Sequence, residues 1–151
     1  MHINPDHYLE TAQGRVFTDK RNIQAWQKCF DDLKHTIQTC KNIKRLYLLI
    51  GAQASGKSTW AKLKNIEEPE NIIFDVILVK RVERQKVIQI LKDSHVAVVA
   101  VVFNTPLAVC LERNAQRSLD TRVNETALKN VYAAMELPML VEGFIQIVTV
   151  N

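Results

Sequence analysis

The chain has 151 residues, of which 47% are hydrophobic and 24% charged, with a formal net charge of +4. That is one domain's worth of chain. It can bury a core without disulfide or metal staples, so a stapled miniprotein and a two-core protein are excluded. The slight positive charge fits an ordinary soluble protein and equally a polyanionic partner such as a nucleotide or nucleic acid.

In chain order, Glu10 to Thr18 holds the turn signal Gln13-Gly14-Arg15 and predicts a small hairpin. Ile23, Trp26, Phe30, Leu33 and Ile37 then recur at helical spacing and predict one amphipathic helix from Asp19 to Lys41, with Cys29 and Cys40 sharing a face. Residues 1–44 thus form a hairpin-and-helix extension, whose apolar stripe calls for a surface to cover. From Arg45 the rhythm changes. Leu46-Tyr47-Leu48-Leu49-Ile50 is wholly apolar, as expected of a strand buried on both faces. A glycine-bounded loop and a helix over Gly56–Asn65 follow, then a second apolar run, Ile72-Ile73-Phe74, ending at Asp75. Lys80–Asp93 predicts a charged helix with Val82, Val87, Ile90 and Leu91 inward, and Val96–Phe103 predicts a valine-rich strand. Pro106 opens another helix, Asn124 caps a further one running to Glu136, and Ile145–Val150 is the last strand. Alternating strands and helices predict a single α/β domain over 1–151, with a nucleotide-binding core over 45–150 and a mainly parallel sheet of about four strands.

Cys29, Cys40 and Cys110 form no Cys-x-x-Cys pair and lie near no histidine cluster, which points to reduced thiols and a cytoplasmic protein. No signal-peptide pattern opens the chain, and the longest apolar run, Val96–Phe103, is far too short for a bilayer, so no membrane partner is expected.

The chemistry concentrates at Gly51-Ala52-Gln53-Ala54-Ser55-Gly56-Lys57-Ser58, which matches Gly-x-x-x-x-Gly-Lys-Ser/Thr at every fixed position. It stands directly after a predicted buried strand and before a predicted helix, where its mechanism requires it. A phosphate chain needs converging N–H donors, supplied by a tight loop of backbone amides and by the positive end of the following helix. Gly51 and Gly56 let the loop bend; Lys57 reaches the β- and γ-phosphates; Ser58, followed by Thr59, offers a hydroxyl to Mg²⁺. Residues 51–59 are therefore the expected ATP contacts. Asp75, just past a buried strand, is the expected second ligand of Mg²⁺; its alternative is a strand-end helix cap. Arg113, Arg117 and Arg122 flank the segment 114–124 between two predicted helices, where a lid would bring guanidinium charge onto a transferring phosphoryl group. Surface ion pairs with Glu112, Asp120 and Glu125 are the alternative.

These residues resemble the P-loop kinases of the polynucleotide-kinase-like and zeta-toxin-like branch. The resemblance covers about Arg45 to Val150. It rests on Gly56 to Ala61, Ile73-Phe74-Asp75, Arg84, Asn104 to Leu107, Glu112-Arg113-Asn114 with Arg117, Arg122-Val123, and Glu142-Gly143-Phe144. It implies ATP and Mg²⁺ as ligands, a lid carrying Arg113 and Arg117, and γ-phosphoryl transfer with Lys57, Asp75 and the arginines in catalytic roles. Two departures stand out. Only Ile66 to Asn71 separates the P-loop helix from the Asp75 strand, so the family's intervening strand and helix are missing, and with them an acceptor-side Asp. The family's Asp-x-Thr-Asn turn reads Asp75-Val76-Ile77-Leu78. The expected strand order is that of Asp75, of Arg45, of Val96 and of Ile145. A kinase with an unidentified hydroxyl acceptor (a nucleic-acid 5′-end, a nucleotide or a small metabolite), a nucleotide-binding regulatory module, and a nucleic-acid-binding ATPase using Lys80-Arg81 to Lys86 all fit this pattern.

Overall fold

A computed structural model describes residues 1–151. Its centre is a five-stranded, wholly parallel sheet. The strands are β1 (His2–Ile3), β4 (Arg45–Ile50), β5 (Ile72–Phe74), β6 (Ala97–Phe103) and β7 (Gln146–Val150), in the order β1-β5-β4-β6-β7. A small hairpin, β2 (Glu10–Thr11) and β3 (Gly14–Arg15), stands apart. The helices are α1 (Asp19–Thr39), α2 (Lys57–Glu67), α3 (Arg81–Leu91), α4 (Leu107–Ala115) and α5 (Glu125–Ala134).

The sheet is buried on both faces because its strands are apolar at nearly every position. Side chains alternate across a strand, so each strand feeds two cores. Leu46, Leu48 and Ile50 meet Ile72, Phe74, Val98 and Ala100 on one face, which Cys29 and Leu33 of α1 and Val87 and Leu91 of α3 cover. Tyr47, Leu49, Ile73, Val99, Val101 and Phe103 meet Ala61 of α2 on the other, with Trp60, Val148 and Val150 packed around them. From β4 the chain crosses to β5 on one side and then to β6 on the other. The direction of winding reverses at β4, and in open parallel sheets ligands bind in the crevice at the carboxyl ends beside such a reversal.

The expected order of the four core strands is the one observed, and the fifth strand is a correction to it. β1 pairs with β5 in parallel register, His2 opposite Ile73 and Ile3 opposite Phe74. The Met1 ammonium donates to the Asn71 carbonyl at 2.7 Å, and Asp75 N donates to the Ile3 carbonyl at 2.9 Å. The N-terminal extension thus supplies an edge strand followed by a helix on the sheet face. Two residues are too short a run for any period to register, so this strand has no sequence signal.

The stripe of α1 is rotated from its predicted position. The deeply buried residues are Ala25, Cys29, Leu33 and Thr36, whereas Trp26, Phe30 and Ile37 lie at its margin and Ile23 is 69% exposed. Small side chains at 25 and 29 face the sheet, while bulkier ones flank the contact. The helix ends at Thr39, so Cys40 lies outside the buried face and is exposed. In α3 the inward positions are Arg84, Val87 and Leu91, and Val82 is 67% exposed. A charged residue holds the place that an apolar period assigns to valine. Val76 and Leu78 are buried in the core, which accounts for apolar residues in the turn after Asp75.

Candidate functional site

The loop from Gly51 to Gly56 joins β4 to α2 at the carboxyl edge of the sheet. Its first glycine is a steric necessity. A Cβ at Gly51 would lie 2.7 Å from Ser55 Oγ and 3.0 Å from Phe103 Cβ. Ala54 has φ 61° and Gly56 φ 103°, both left-handed. Placing left-handed residues among right-handed ones is how consecutive N–H groups converge into an anion-binding nest. Thr105 Oγ1 braces the loop from outside by donating to the Ser55 carbonyl at 2.8 Å.

Several polar groups here lack the partners that burial demands. Ser55 Oγ and Gln53 Oε1 are buried with no hydrogen-bond partner. Lys57 is 7% exposed and its Nζ donates only to the carbonyls of Gly51, 3.1 Å, and Ala52, 2.9 Å. Burial pulls the Lys57 ammonium down from its ordinary pKa, while the carboxylates of Asp75 and Asp6 oppose that and Arg117 reinforces it. A buried cation without a carboxylate in contact is costly, and an anion at the loop would offset the cost. Gln53 to Thr59 line one large cleft; Gly51 and Ala52 sit behind it and hold Lys57 through their carbonyls.

Beside the lysine, Ser58 Oγ donates to Asp75 Oδ2 at 3.2 Å. β4 and β5 are neighbours, which is what brings the loop and the strand end together. Asp75 is 4% exposed. The same Oδ2 accepts from Asn4 Nδ2 at 3.1 Å and meets His2 Nε2 at 3.3 Å. Burial pushes the Asp75 carboxyl up, but the His2 contact, the Lys57 charge and the Ser58 hydrogen bond together hold it below the usual range. A hydroxyl and a carboxylate are hard oxygen donors that suit Mg²⁺, an ion usually bound by one or two carboxylates plus substrate phosphates and waters. No group of three or more His, Cys, Asp or Glu side chains stands ready to cage a metal, so these donors fit an ion shared with a phosphate chain.

The three predicted arginines line the same cleft. Arg113 Nη1 reaches the Ala54 carbonyl at 3.5 Å, and Arg122 Nη2 donates to the carbonyls of Ala115, 2.8 Å, and Arg117, 3.0 Å. None forms an ion pair: Glu125 pairs with Lys129, and Asp120 Oδ2 accepts from Arg15 N. The segment between the helices is shorter than expected, because Asn114 and Ala115 belong to α4. It is also tied at its ends: Asn114 Nδ2 donates to the Val123 carbonyl at 2.7 Å and Asn114 Oδ1 accepts from Val123 N at 2.9 Å.

Sequence reasoning missed the N-terminal contribution. Asn4, Asp6, Arg15, Phe17 and Trp26 all line the cleft. The one usable signal was polar His2 and Asn4 two residues apart, the spacing that puts side chains on one side of a strand. The basic run of α3 also reads differently in three dimensions. Arg84 is fully buried, with Nε and Nη2 each 3.0 Å from a Glu142 carboxylate oxygen, so it offers nothing to a nucleic-acid backbone.

A parallel sheet, a glycine-gated loop running into a helix, and a buried lysine at that junction define a P-loop nucleotide-binding domain. The model of a family described as AAA domain matches residues 63–138, half of the chain, and the chain belongs to this P-loop NTPase-like family, which includes kinases. The match begins within α2. Asp75 and the three arginines lie inside it, and the P-loop precedes it. A comparison with curated proteins found no match.

Proposed function

We propose that this chain is a single-domain phosphotransferase, akin to the polynucleotide-kinase-like and zeta-toxin-like kinases, that moves the γ-phosphoryl group of ATP to a hydroxyl. The observation that carries this reading is the buried Lys57, free of any carboxylate contact, in a cleft lined by three arginines that form no ion pairs. A nucleotide-binding module needs only the cradle. Three further cations around one cleft fit the charge that phosphoryl transfer spreads over the equatorial oxygens.

In this reading residues 51–59 hold the triphosphate. Lys57 turns from its two loop carbonyls to the β- and γ-phosphate oxygens. Ser58 and Asp75 hold Mg²⁺, which when bound neutralises phosphate charge. Arg113, Arg117 and Arg122 close on the γ-phosphate. Three side chains converge on one oxygen of Asp75, and in this reading the carboxylate is given over to the metal, so it is poorly placed to serve as a base as well.

Isothermal titration of MgATP into the wild type and Lys57→Ala tests the assignment. The variant is expected to stay folded and to lose about 1.5–3 kcal/mol of binding, the worth of charge-assisted contacts. Equal affinity would place the nucleotide elsewhere.

A further inference from the structure

The cleft encloses about 1320 Å³, more than the roughly 300–1,000 Å³ of a pocket for one small ligand. The P-loop and the arginines occupy one part of it. The rest is walled by Asn4, just past β1, by Pro5 and Asp6 of the 3₁₀ turn Pro5–Tyr8, by Arg15 of the hairpin, by Phe17 and by the start of α1. Since β1 is parallel to β5, its carboxyl end opens on the same edge as Asp75. Asn4, Pro5 and Asp6 follow it directly. Pro5 is buried, and Asn4 Oδ1 caps the turn by accepting from Asp6 N at 2.9 Å, so Asp6 sits on fixed backbone one strand over from Asp75. Asp6 lines the same cleft as Lys57 and Asp75.

The charges of this wall differ from those of the phosphate side. Its carboxylates are Asp6 and Asp19. Its cation, Arg15, is committed to Asp6 at 3.1 Å and Glu10 at 2.8 Å. Lys80 and Glu83, at the start of α3, add one charge of each sign. A polyanionic acceptor would find Lys80 as its one unpaired cation on this wall, whereas nucleic-acid backbones are held by several. Two aromatic side chains border the same space, Trp26, half-buried, and Phe17, which is 47% exposed.

We infer that the N-terminal segment builds the acceptor site, that it takes a neutral hydroxyl compound bearing a flat ring, and that Asp6 is the carboxylate that receives the hydroxyl. This rests on the kinase reading above. The acceptor oxygen forms a bond to the γ-phosphorus as the bond from phosphorus to the β,γ-bridging oxygen breaks. ADP leaves with that electron pair. The hydroxyl proton passes to Asp6 and then to water, and the ring lies against Phe17 and Trp26. An acceptor-side carboxylate missing from the middle of the chain is thereby supplied from its beginning.

The test is phosphoryl transfer from γ-labelled ATP to two separate pools, the four ribonucleosides with a set of aryl glycosides, and 5′-hydroxyl oligonucleotides. MgATP affinity is titrated on the same samples. Label is expected in the neutral ring-bearing pool and absent from the oligonucleotides. Asp6→Asn is expected to lower kcat roughly 100-fold, the low end of general-base effects, with MgATP affinity within about twofold of wild type; that titration also shows that the variant is folded. Phe17→Ala, at a half-exposed side chain, is expected to raise the acceptor KM about tenfold. Label in the oligonucleotides, none in the ring-bearing pool while MgATP binds, or full-rate transfer by Asp6→Asn would each overturn the inference. Failure of the wild type to bind MgATP would instead sink the kinase reading beneath it.

Discussion

Gly51 carries the strictest single-residue demand in the cradle. Of the two atoms that a Cβ there would strike, Ser55 Oγ can rotate away, but Phe103 Cβ belongs to the buried strand β6 and cannot. Gly51→Ala is therefore expected to push the loop off the sheet, costing about 1–3 kcal/mol of stability as an overpacked site and weakening MgATP binding at the same time. Denaturant melts and titration of the variant check both. A variant with wild-type affinity would show that the loop need not keep this shape. Asp75 makes a different point at the same scale. Ser58, Asn4 and His2 reach it from a helix N-terminus and from an N-terminal strand far away in sequence, yet all three meet one carboxylate oxygen. Its other oxygen has no protein partner among these contacts.

Among the elements, the loop between α4 and α5 is held by one side chain. Asn114 is 4% exposed and makes two hydrogen bonds to the backbone of Val123, closing the segment that carries Arg117 and Arg122. Asn114→Ala removes both and leaves the half-buried N–H and C=O of Val123 without these partners, at a cost of about 1–2 kcal/mol. Hydrogen exchange should show lower protection across 115–123 in the variant, and titration should show weaker MgATP binding. Unchanged protection would mean that the two helices alone order the loop. The N-terminal elements depend on tertiary contacts in the same way. β1 is two residues long and exists only because β5 offers it an edge. The turn behind it is fastened to α1 through the hydroxyl of Tyr8, which donates to Asp32 and is thereby pushed up to about 12. α1 in turn packs Cys29 and Leu33 into the main core. Strand, turn and helix form a unit whose core contacts serve stability and whose loops border the cleft.

For the whole molecule, the Arg84–Glu142 pair joins the helix after β5 to the turn before β7. Arg84 has no exposed surface, and its Nη1 also donates to the carbonyls of Val79, 2.7 Å, and Glu136, 3.0 Å, so one guanidinium gathers three separate stretches of chain. Removing one partner of such a pair strands a buried charge. Arg84→Met is expected to cost about 3–5 kcal/mol, and replacing Glu142 by Leu in the same protein should restore much of it. Urea unfolding of the single and double variants measures this. A single variant as stable as wild type would mean that water reaches Glu142. No helix of the protein is long and apolar enough to cross a membrane.

The cradle and the sheet around it were legible in the sequence for a physical reason. A P-loop is local: strand, glycines, lysine and hydroxyl fall within about a dozen consecutive residues, and their chemistry dictates their spacing. Buried parallel strands announce themselves as unbroken apolar runs, so β4, β5 and β6 could be read directly, as could the cap at Asn124, whose side chain accepts from Ala127 N at 3.1 Å. Contacts between distant parts of the chain left no such trace. A two-residue strand has no period, and Arg84 looks like any surface arginine until Glu142 is brought to it. The stripe of α1 was misplaced by one position because the sheet receives Ala25 and Cys29, whose small side chains weigh little in an apolar count. The sequence by itself determined a site for phosphate. Only the tertiary structure decided what stands opposite it, because the wall with Asp6, Phe17 and Trp26 exists only once the first strand has found the edge of β5.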